Sequence, residues 1–390
     1  MRILSFCGGK GLKTFLYRYL WLGKMLSIFM EIFYLFAVFS LVYKERHSFF
    51  DLAIITFLIM MGRNFGNTLA STSLRLNIAL LFSAKSVFIL IAYYLLSEHS
   101  LYIVLPTIVL SAIDGYIKYQ SNRPYLSITK REEIATVGGF QSFIDQITMI
   151  IGWLLSITLF VQVNSFGLLI IACLLGLICC LIYSSSPKNK NMMMQKAGDV
   201  KQPFQLFKNR ISFLFMIDMI FNIAWVSSMI FAFVENHLKQ GIVWWGIFNS
   251  TYILGMLMVH FIINKYHMFF AYRRWKVQFF LTIVTILFVA VFAFNLNIYL
   301  SLFLILFFGF SQQLKEKILY TELMKQMDIQ TISNFHQRLS IQSSFVISVC
   351  VLGAGWIVDH FGIQAIYLVI GLVSCLSLPF YISKMRKQAA

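Results

Sequence analysis

The chain has 390 residues, of which 59% are apolar and 17% aromatic, and this composition excludes an ordinary soluble globular protein. Its 32 Lys and Arg against 15 Asp and Glu give a net charge of +17, which in a soluble protein would suggest a nucleic-acid partner. In so apolar a chain we interpret the basic excess as the positive-inside distribution of a membrane protein, together with contact with anionic lipid headgroups. We therefore expect the lipid bilayer as a partner, and no nucleic acid.

Apolar stretches long enough to cross a bilayer recur along the whole chain. A helical span needs about 20 predominantly apolar residues. Segments of this kind predict an all-α polytopic membrane protein with twelve transmembrane helices. The predicted spans are 20–43, 49–69, 77–96, 100–120, 134–160, 164–183, 209–233, 240–264, 277–295, 297–318, 336–358 and 363–383.

The loops between these spans differ in charge when they are numbered alternately. The odd-numbered loops hold Lys44, Arg46 and Lys239, and the other 29 of the 32 basic residues belong to the even-numbered loops and the two ends when those in the flanking helix ends are counted with them. Basic residues stay in the cytoplasm during insertion, so both termini are expected there. The first apolar run has full length and no small-residue cleavage site, which predicts a retained first helix.

The longest polar stretch divides the spans into two groups of six. We predict an N-terminal six-helix bundle at 1–183, a cytoplasmic linker at 184–208 and a C-terminal six-helix bundle at 209–390. Residues 125–140 and 320–335, 195 positions apart, carry Tyr, Lys, Ile, Thr and Phe at the same offsets. Parallel halves of this kind predict a transporter with its site between them.

Three segments carry a more specific resemblance. They are 17–27 (YRYLWLGKMLS), 123–133 (RPYLSITKREE) and 355–362 (GWIVDHFG). Over essentially its whole length the chain resembles a major facilitator superfamily transporter. Within that superfamily it is most similar to the branch that includes enterobactin exporters and macrolide efflux pumps. The resemblance implies two pseudo-symmetric bundles around a central cavity lined by spans one, four, seven and ten.

The loop after span two departs from the superfamily pattern, which usually reads Gly-x-x-x-Asp-Arg-x-Gly-Arg-Arg/Lys. This chain has Gly66, then Ala70 and Ser71 where the acid and its neighbouring base belong, and Arg75 at the end. The resemblance implies gating roles for Arg75 and for Asp359 of the last hairpin. Span five also lacks the Gly-Pro pair of many drug antiporters, which speaks against a typical member of that group.

Charges inside spans are the candidate binding residues, because each costs a few kcal/mol in contact with lipid. In span one, Lys24, Ser27 and Glu31 share one helix face. By the resemblance this face lines the cavity, and Glu31 is the first candidate for a proton or substrate site. The alternative is a buried carboxylate that a neighbouring helix satisfies.

Spans four and five carry further candidates of the same kind. Asp114 and Lys118 are four residues apart and can neutralise each other, either as a structural pair or as a gate that opens during transport. Asp145 has no local cation. It must find a partner across the bundle, bind substrate or carry a proton, so it is a third candidate for substrate or proton binding.

Spans seven and ten supply the candidates in the second half. Asp218, Asn222 and Trp225 share one face of span seven, and Asp218 is predicted to bind substrate or protons. The alternative is a link to a partner near the cytosolic end. The end of span ten, with Lys315, is either a solvated helix end or a basic side chain that reaches into a cavity. His260 in span eight is interpreted as a satisfied packing residue.

The chain contains no catalytic motif, phosphate-binding loop or Cys/His metal spacing, so we expect no enzyme activity, cofactor or metal. The predicted function is secondary active export of a small molecule across a bacterial plasma membrane, by proton-coupled alternating access in a monomer. A siderophore or similar metal chelator is the first candidate cargo, since the cavity spans mix acids with Lys24. Multidrug or macrolide efflux is the alternative. A membrane enzyme and a sensor with transporter ancestry also stay open.

Overall fold

A computed structural model of the protein describes residues 11–71, 76–98, 103–128, 134–185, 210–324 and 329–389. Throughout these ranges all regular structure is helical, as the sequence predicts, and no strand occurs in them. The helices are α1 (Gly11–Arg46), α2 (Phe49–Ser71), α3 (Ile78–Glu98), α4 (Val104–Ile128), α5 (Ile134–Ser184), α6 (Arg210–Phe221), α7 (Ser227–Ala232), α8 (Ile242–Phe294), α9 (Ile298–Met324), α10 (Ile329–Phe361), α11 (Ile363–Cys375) and α12 (Leu378–Ala389).

The long helix α5 contains two of the predicted spans. Asn164 interrupts it with φ 56° and ψ −172°, a positive-φ conformation that residues other than glycine rarely adopt. Its Oδ1 accepts hydrogen bonds from the backbone nitrogens of Phe166 at 3.1 Å and Gly167 at 3.4 Å. Asn164 therefore caps the second segment, since an N-cap side chain binds the first free N–H groups of a helix.

The helix count agrees with the prediction once the long helices are divided. In the described part of the chain, ten stretches are long and apolar enough to cross a membrane, and Gly139–Ser184 is one of them. That stretch holds the two segments on either side of Asn164, and α4 occupies the predicted fourth span. Together these give twelve helical passes.

The chain forms two compact units. The first unit is Met1–Leu41 with Gly62–Ala197, and the second unit is Val42–Met61 with Gly198–Ala390. The end of α1 and the start of α2 thus belong with the second unit. The predicted linker at 184–208 lies outside the described residues except for its first two, so the predicted bundle boundaries stay a prediction.

Glycines allow one helix pair in each unit to make close backbone contact. A Cβ on Gly66 or Gly115 would lie 1.9 or 2.2 Å from a carbonyl oxygen of the facing helix, in the pair α2 and α4. In the second unit a Cβ on Gly255 or Gly309 would lie 2.0 Å from a carbonyl oxygen, in the pair α8 and α9. Only glycine permits such contacts, and van der Waals packing between the two backbones then holds the membrane helices together.

The seventh pass is broken in its middle. After α6 the residues Asn222–Trp225 form a 3₁₀ turn, Val226 is extended with φ −63° and ψ 141°, and α7 begins at Ser227. The break disturbs the helical hydrogen bonding, and the indole Nε1 of Trp245 donates to the backbone oxygen of Ser227 at 2.8 Å. A side chain from α8 thus contacts the backbone where α7 begins.

Candidate functional site

Glu31 on α1 is held by cations from two other helices. Lys118 Nζ on α4 lies 2.8 Å from its Oε2, and the guanidinium of Arg63 on α2 donates to its Oε1. The Glu31 side chain is 18% exposed and Lys118 is 43% exposed. The carboxylate therefore joins α1 to α2 and α4 through charge-assisted hydrogen bonds, which are the strong ones in proteins.

A second ion pair connects α1 with α5. Lys24 Nζ lies 2.7 Å from Oδ2 of Asp145, and both side chains are partly buried. Of the three alternatives given for Asp145, the structure shows the first, because Asp145 is paired with a cation on another helix. Lys24 lies two helical turns from Glu31 on the same face of α1, as the sequence predicts, and the two do not need each other as partners.

The third pair is the most buried of those in the first unit. Lys85 on α3 donates to Asp114 on α4, and the two side chains are 2% and 8% exposed. The prediction that Asp114 and Lys118 neutralise each other on α4 is therefore wrong. The structure instead pairs Asp114 with Lys85 and Lys118 with Glu31, because cations from neighbouring helices reach both carboxylates.

These pairs form one charged cluster of the first unit, which we call the first-unit cluster. With every member ionised it has four cations and three carboxylates, so its net charge is +1. Such a cluster can bind a small ligand through a charged group of either sign, because a ligand ion can replace a cluster member of the same sign. Its members are Lys24, Glu31, Arg63, Lys85, Asp114, Lys118 and Asp145.

Two members of the first-unit cluster were not predicted from the sequence. Arg63 and Lys85 are the cations that hold Glu31 and Asp114, and each lies within an apolar predicted span. That position was the available signal, since a cation at membrane depth needs a partner or a cavity. The predicted gating residue Arg75 lies outside the described residues.

In the second unit Asp218 is paired in the same way. Lys315 Nζ lies 2.9 Å from Asp218 Oδ1, and the side chains are 1% and 6% exposed. The hydroxyl of Tyr381 lies 3.5 Å from Oδ2, and the Lys315 ammonium lies 5.0 Å from the ring centroid of Phe221. The interpretation of this end of span ten as solvated is therefore wrong. Lys315 reaches a buried acid instead.

Asp359 near the end of α10 binds the first turn of α2. Its carboxylate accepts hydrogen bonds from Ser48 Oγ at 2.9 Å, from the Phe49 nitrogen at 3.0 Å and from the Phe50 nitrogen at 3.1 Å. A Cβ on Gly355, one turn earlier in α10, would lie 2.3 Å from Cβ of Ala53. Asp359 thus caps α2 from a distant part of the chain, where free N–H groups attract an anion.

The remaining expectations concern metals and histidines. Among the described residues no group of three or more His, Cys, Asp and Glu is placed to hold a metal ion. His260 is largely buried and its Nδ1 lies 3.1 Å from Lys317 Nζ.

We predict that the Lys85–Asp114 pair is needed for stability. Lys85→Met or Asp114→Asn alone is expected to lower stability by about 3–5 kcal/mol, because the remaining charge stays buried without its partner. The double variant Lys85→Met with Asp114→Leu is expected to recover most of the loss. Thermal unfolding of the detergent-purified proteins measures this, and single variants that unfold like the wild type contradict it.

The ordered apolar passes, and the charges paired between them, define a multi-pass membrane protein. No protein-family model matches the chain. It is 23% identical over 380 residues to "Uncharacterized MFS-type transporter YfmI" of Bacillus subtilis (strain 168), covering 90% of this chain and 92% of the relative.

Solved structures share the fold. They include the nucleoside transporter NupG (TM-score 0.72, 14% identity, 94% of this chain and 98% of that one) and a D-xylose-proton symporter (0.68, 13%, 93% and 95%). A bacterial homologue of the iron transporter ferroportin, in an inward-facing state, is also similar (0.65, 13%, 94% and 98%). The chain therefore has the all-α fold of the major facilitator transporters, as the resemblance predicts.

Proposed function

We propose that the chain is a secondary active transporter that exports a small molecule across a bacterial plasma membrane by proton-coupled alternating access. The observation that carries this proposal is Glu31, a carboxylate inside the first membrane pass that is shared between Arg63 and Lys118. The relative named as an MFS-type transporter and the transporter fold support it.

A shared carboxylate offers a simple means of coupling. A proton on Glu31 removes the negative charge between Arg63 and Lys118, and the two cations then repel each other. The carboxyl group is then no longer held by both cations, so α1 can move relative to α2 and α4. A proton can change the balance between two conformations only if it binds one of them better. The Glu31 contacts, made in this conformation, supply such a difference.

A siderophore or similar metal chelator is the first candidate cargo. The first-unit cluster has a net charge of +1 and carries both signs, so it can bind a zwitterionic or multiply charged molecule, or a charged group of either sign. A macrolide or another drug is the competing cargo. It is favoured by the aromatic side chains around Trp225, among them Phe308 at 4.1 Å between ring centroids. A cytoplasmic location of both termini and a monomeric state complete the proposal.

Inside-out membrane vesicles that contain the protein test the proposal. With an imposed proton gradient, we expect uptake of a metal-free siderophore such as desferrioxamine B or enterobactin, and loss of that uptake when a protonophore is added. Erythromycin tests the competing cargo in the same vesicles. Vesicles without the protein are the control. If none of these compounds is taken up above that control, the proposed export function is wrong.

A further inference from the structure

A group of buried polar atoms in the second unit has no protein partner. Both amide atoms of Gln312 on α9 lack a hydrogen bond, as do Oδ1 of Asn222 and Nε1 of Trp225 at the break in the seventh pass. Gln312 is 2% exposed and Trp225 is 4% exposed. Buried polar atoms are almost always satisfied, so an amide with neither its donor nor its acceptor in use requires an explanation.

These groups face one another along two antiparallel helices. Trp225 stacks on Phe308, with ring centroids 4.1 Å apart, and Asp218 pairs with Lys315 at 2.9 Å. Gln312 lies one turn from each of the two contact positions on α9. Asn222 has the same intermediate position on the seventh pass. By this register the two amides lie at one level, between an aromatic stack and an ion pair.

The break in the seventh pass lies beside these amides. Val226 is extended, so α7 is not continuous with α6. Asn222 itself is in the 3₁₀ turn, and its Nδ2 makes only a weak contact with Met219 Sδ at 3.7 Å. A broken helix changes its direction at little cost, and in transporters such breaks line the binding site. The break is thus a local hinge next to the unpartnered amides.

We propose that Gln312 and Asn222 form a subsite for a neutral group of the cargo that carries a donor and an acceptor side by side, as a hydroxamic acid does. The Gln312 amide offers one donor and one acceptor on the same edge. A hydroxamic acid has its carbonyl and its N–OH on one side and pairs with that edge through two hydrogen bonds. Trp225 supplies a flat apolar wall and an N–H donor. In the present conformation the subsite is closed, and movement at Val226 opens it.

This inference deepens the proposed function and rests on it. It adds that the cargo is held by an ionic end and by a neutral hydrogen-bonding end. The ionic end meets a fixed charge of the second unit, such as the Asp218–Lys315 pair about one turn from Gln312, and the neutral end meets Gln312. Metal-free hydroxamate chelators carry both kinds of group, whereas a macrolide has no hydroxamic acid.

The test uses the purified full-length protein in nanodiscs and metal-free desferrioxamine B as the probe. Binding is followed by tryptophan fluorescence, and stability by the unfolding temperature without the probe. We expect Gln312→Met to weaken binding about tenfold or more, because two hydrogen bonds are lost. We also expect its unfolding temperature to equal or exceed that of the wild type, because the variant no longer buries an unsatisfied amide.

The matched control is Gln313→Met, which alters a buried glutamine beside Gln312 whose amide is not among the unpartnered groups. It should leave binding of the probe unchanged. Asn222→Leu, a second variant on the facing helix, should weaken binding as Gln312→Met does. Two outcomes overturn the inference even where the wild type binds the probe. One is a lower unfolding temperature or loss of folding in Gln312→Met, which would make the amide structural. The other is unchanged binding by that variant.

The failure of this inference and of the proposed function are separable. If the wild type does not bind the trihydroxamate, the subsite is wrong. Proton-driven uptake of enterobactin or erythromycin by the vesicles would then still support export.

Discussion

Replacing Glu31 with Gln is expected to reduce the proposed proton-driven export by at least about a hundredfold, while the protein remains folded in the membrane. Glu31 is shared between Arg63 and Lys118, so the neutral amide leaves two cations without the charge that holds them together. The loss corresponds to roughly 3 kcal/mol, the scale of one charge-assisted contact. Uptake of the transported compound into inside-out vesicles, normalised to the amount of protein, measures it.

The matched control is Glu45→Gln, which makes the same change on an exposed residue of the same helix. It should transport like the wild type. Glu31→Asp keeps the charge on a shorter side chain and should retain part of the activity. Wild-type export by Glu31→Gln, at equal expression, would exclude Glu31 from the mechanism.

Replacing Asp359 with Asn is expected to open the contact between α10 and the first turn of α2. The carboxylate accepts hydrogen bonds from Ser48 and from two backbone nitrogens, and the amide replaces an anion with a weaker, neutral acceptor. Ala53 is fully buried against Gly355, so the accessibility of the thiol in the variant Ala53→Cys measures how often this contact opens. We expect Asp359→Asn to raise its rate of modification by a membrane-impermeant maleimide about tenfold, equivalent to about 1.4 kcal/mol.

Asp51→Asn is the control for this experiment. Asp51 also lies in the first turn of α2, but its carboxylate is 3.9 Å from Arg46 and takes no part in the Asp359 contact. It removes the same charge from the same helix end and should leave the rate unchanged. Equal rates in the wild type, Asp359→Asn and Asp51→Asn would mean that Asp359 does not control access to this contact.

The positions of the helices could be predicted because bilayer thickness and apolar composition fix them almost alone. Even the boundary between the fifth and sixth spans is visible, since Asn164 begins the predicted sixth span and caps its helix. The break at Val226 could not be predicted. Residues 216–240 contain neither proline nor glycine, and the break depends on packing against α8 and α9.

The charged residues could be found from the sequence, but their partners could not. Asp145 is paired with a lysine 121 positions away, and such a distance leaves no local pattern. The local pattern that did exist, Asp114 four residues before Lys118, predicted the wrong pair. A contact between neighbours on one helix is weak. Cations on adjacent helices reached both side chains and decided the pairing.

The glycine contact between α2 and α4 has a consequence for how Glu31 works. The carbonyl oxygen of Arg63 itself is the atom that a Cβ on Gly115 would meet, and Lys118 follows Gly115 by about one turn. Two backbones in such close contact cannot slide past each other without losing that fit, so the backbones of Arg63 and Lys118 keep a fixed separation. Glu31 is then the residue that moves, and α1 is the helix that must shift when the three charges separate.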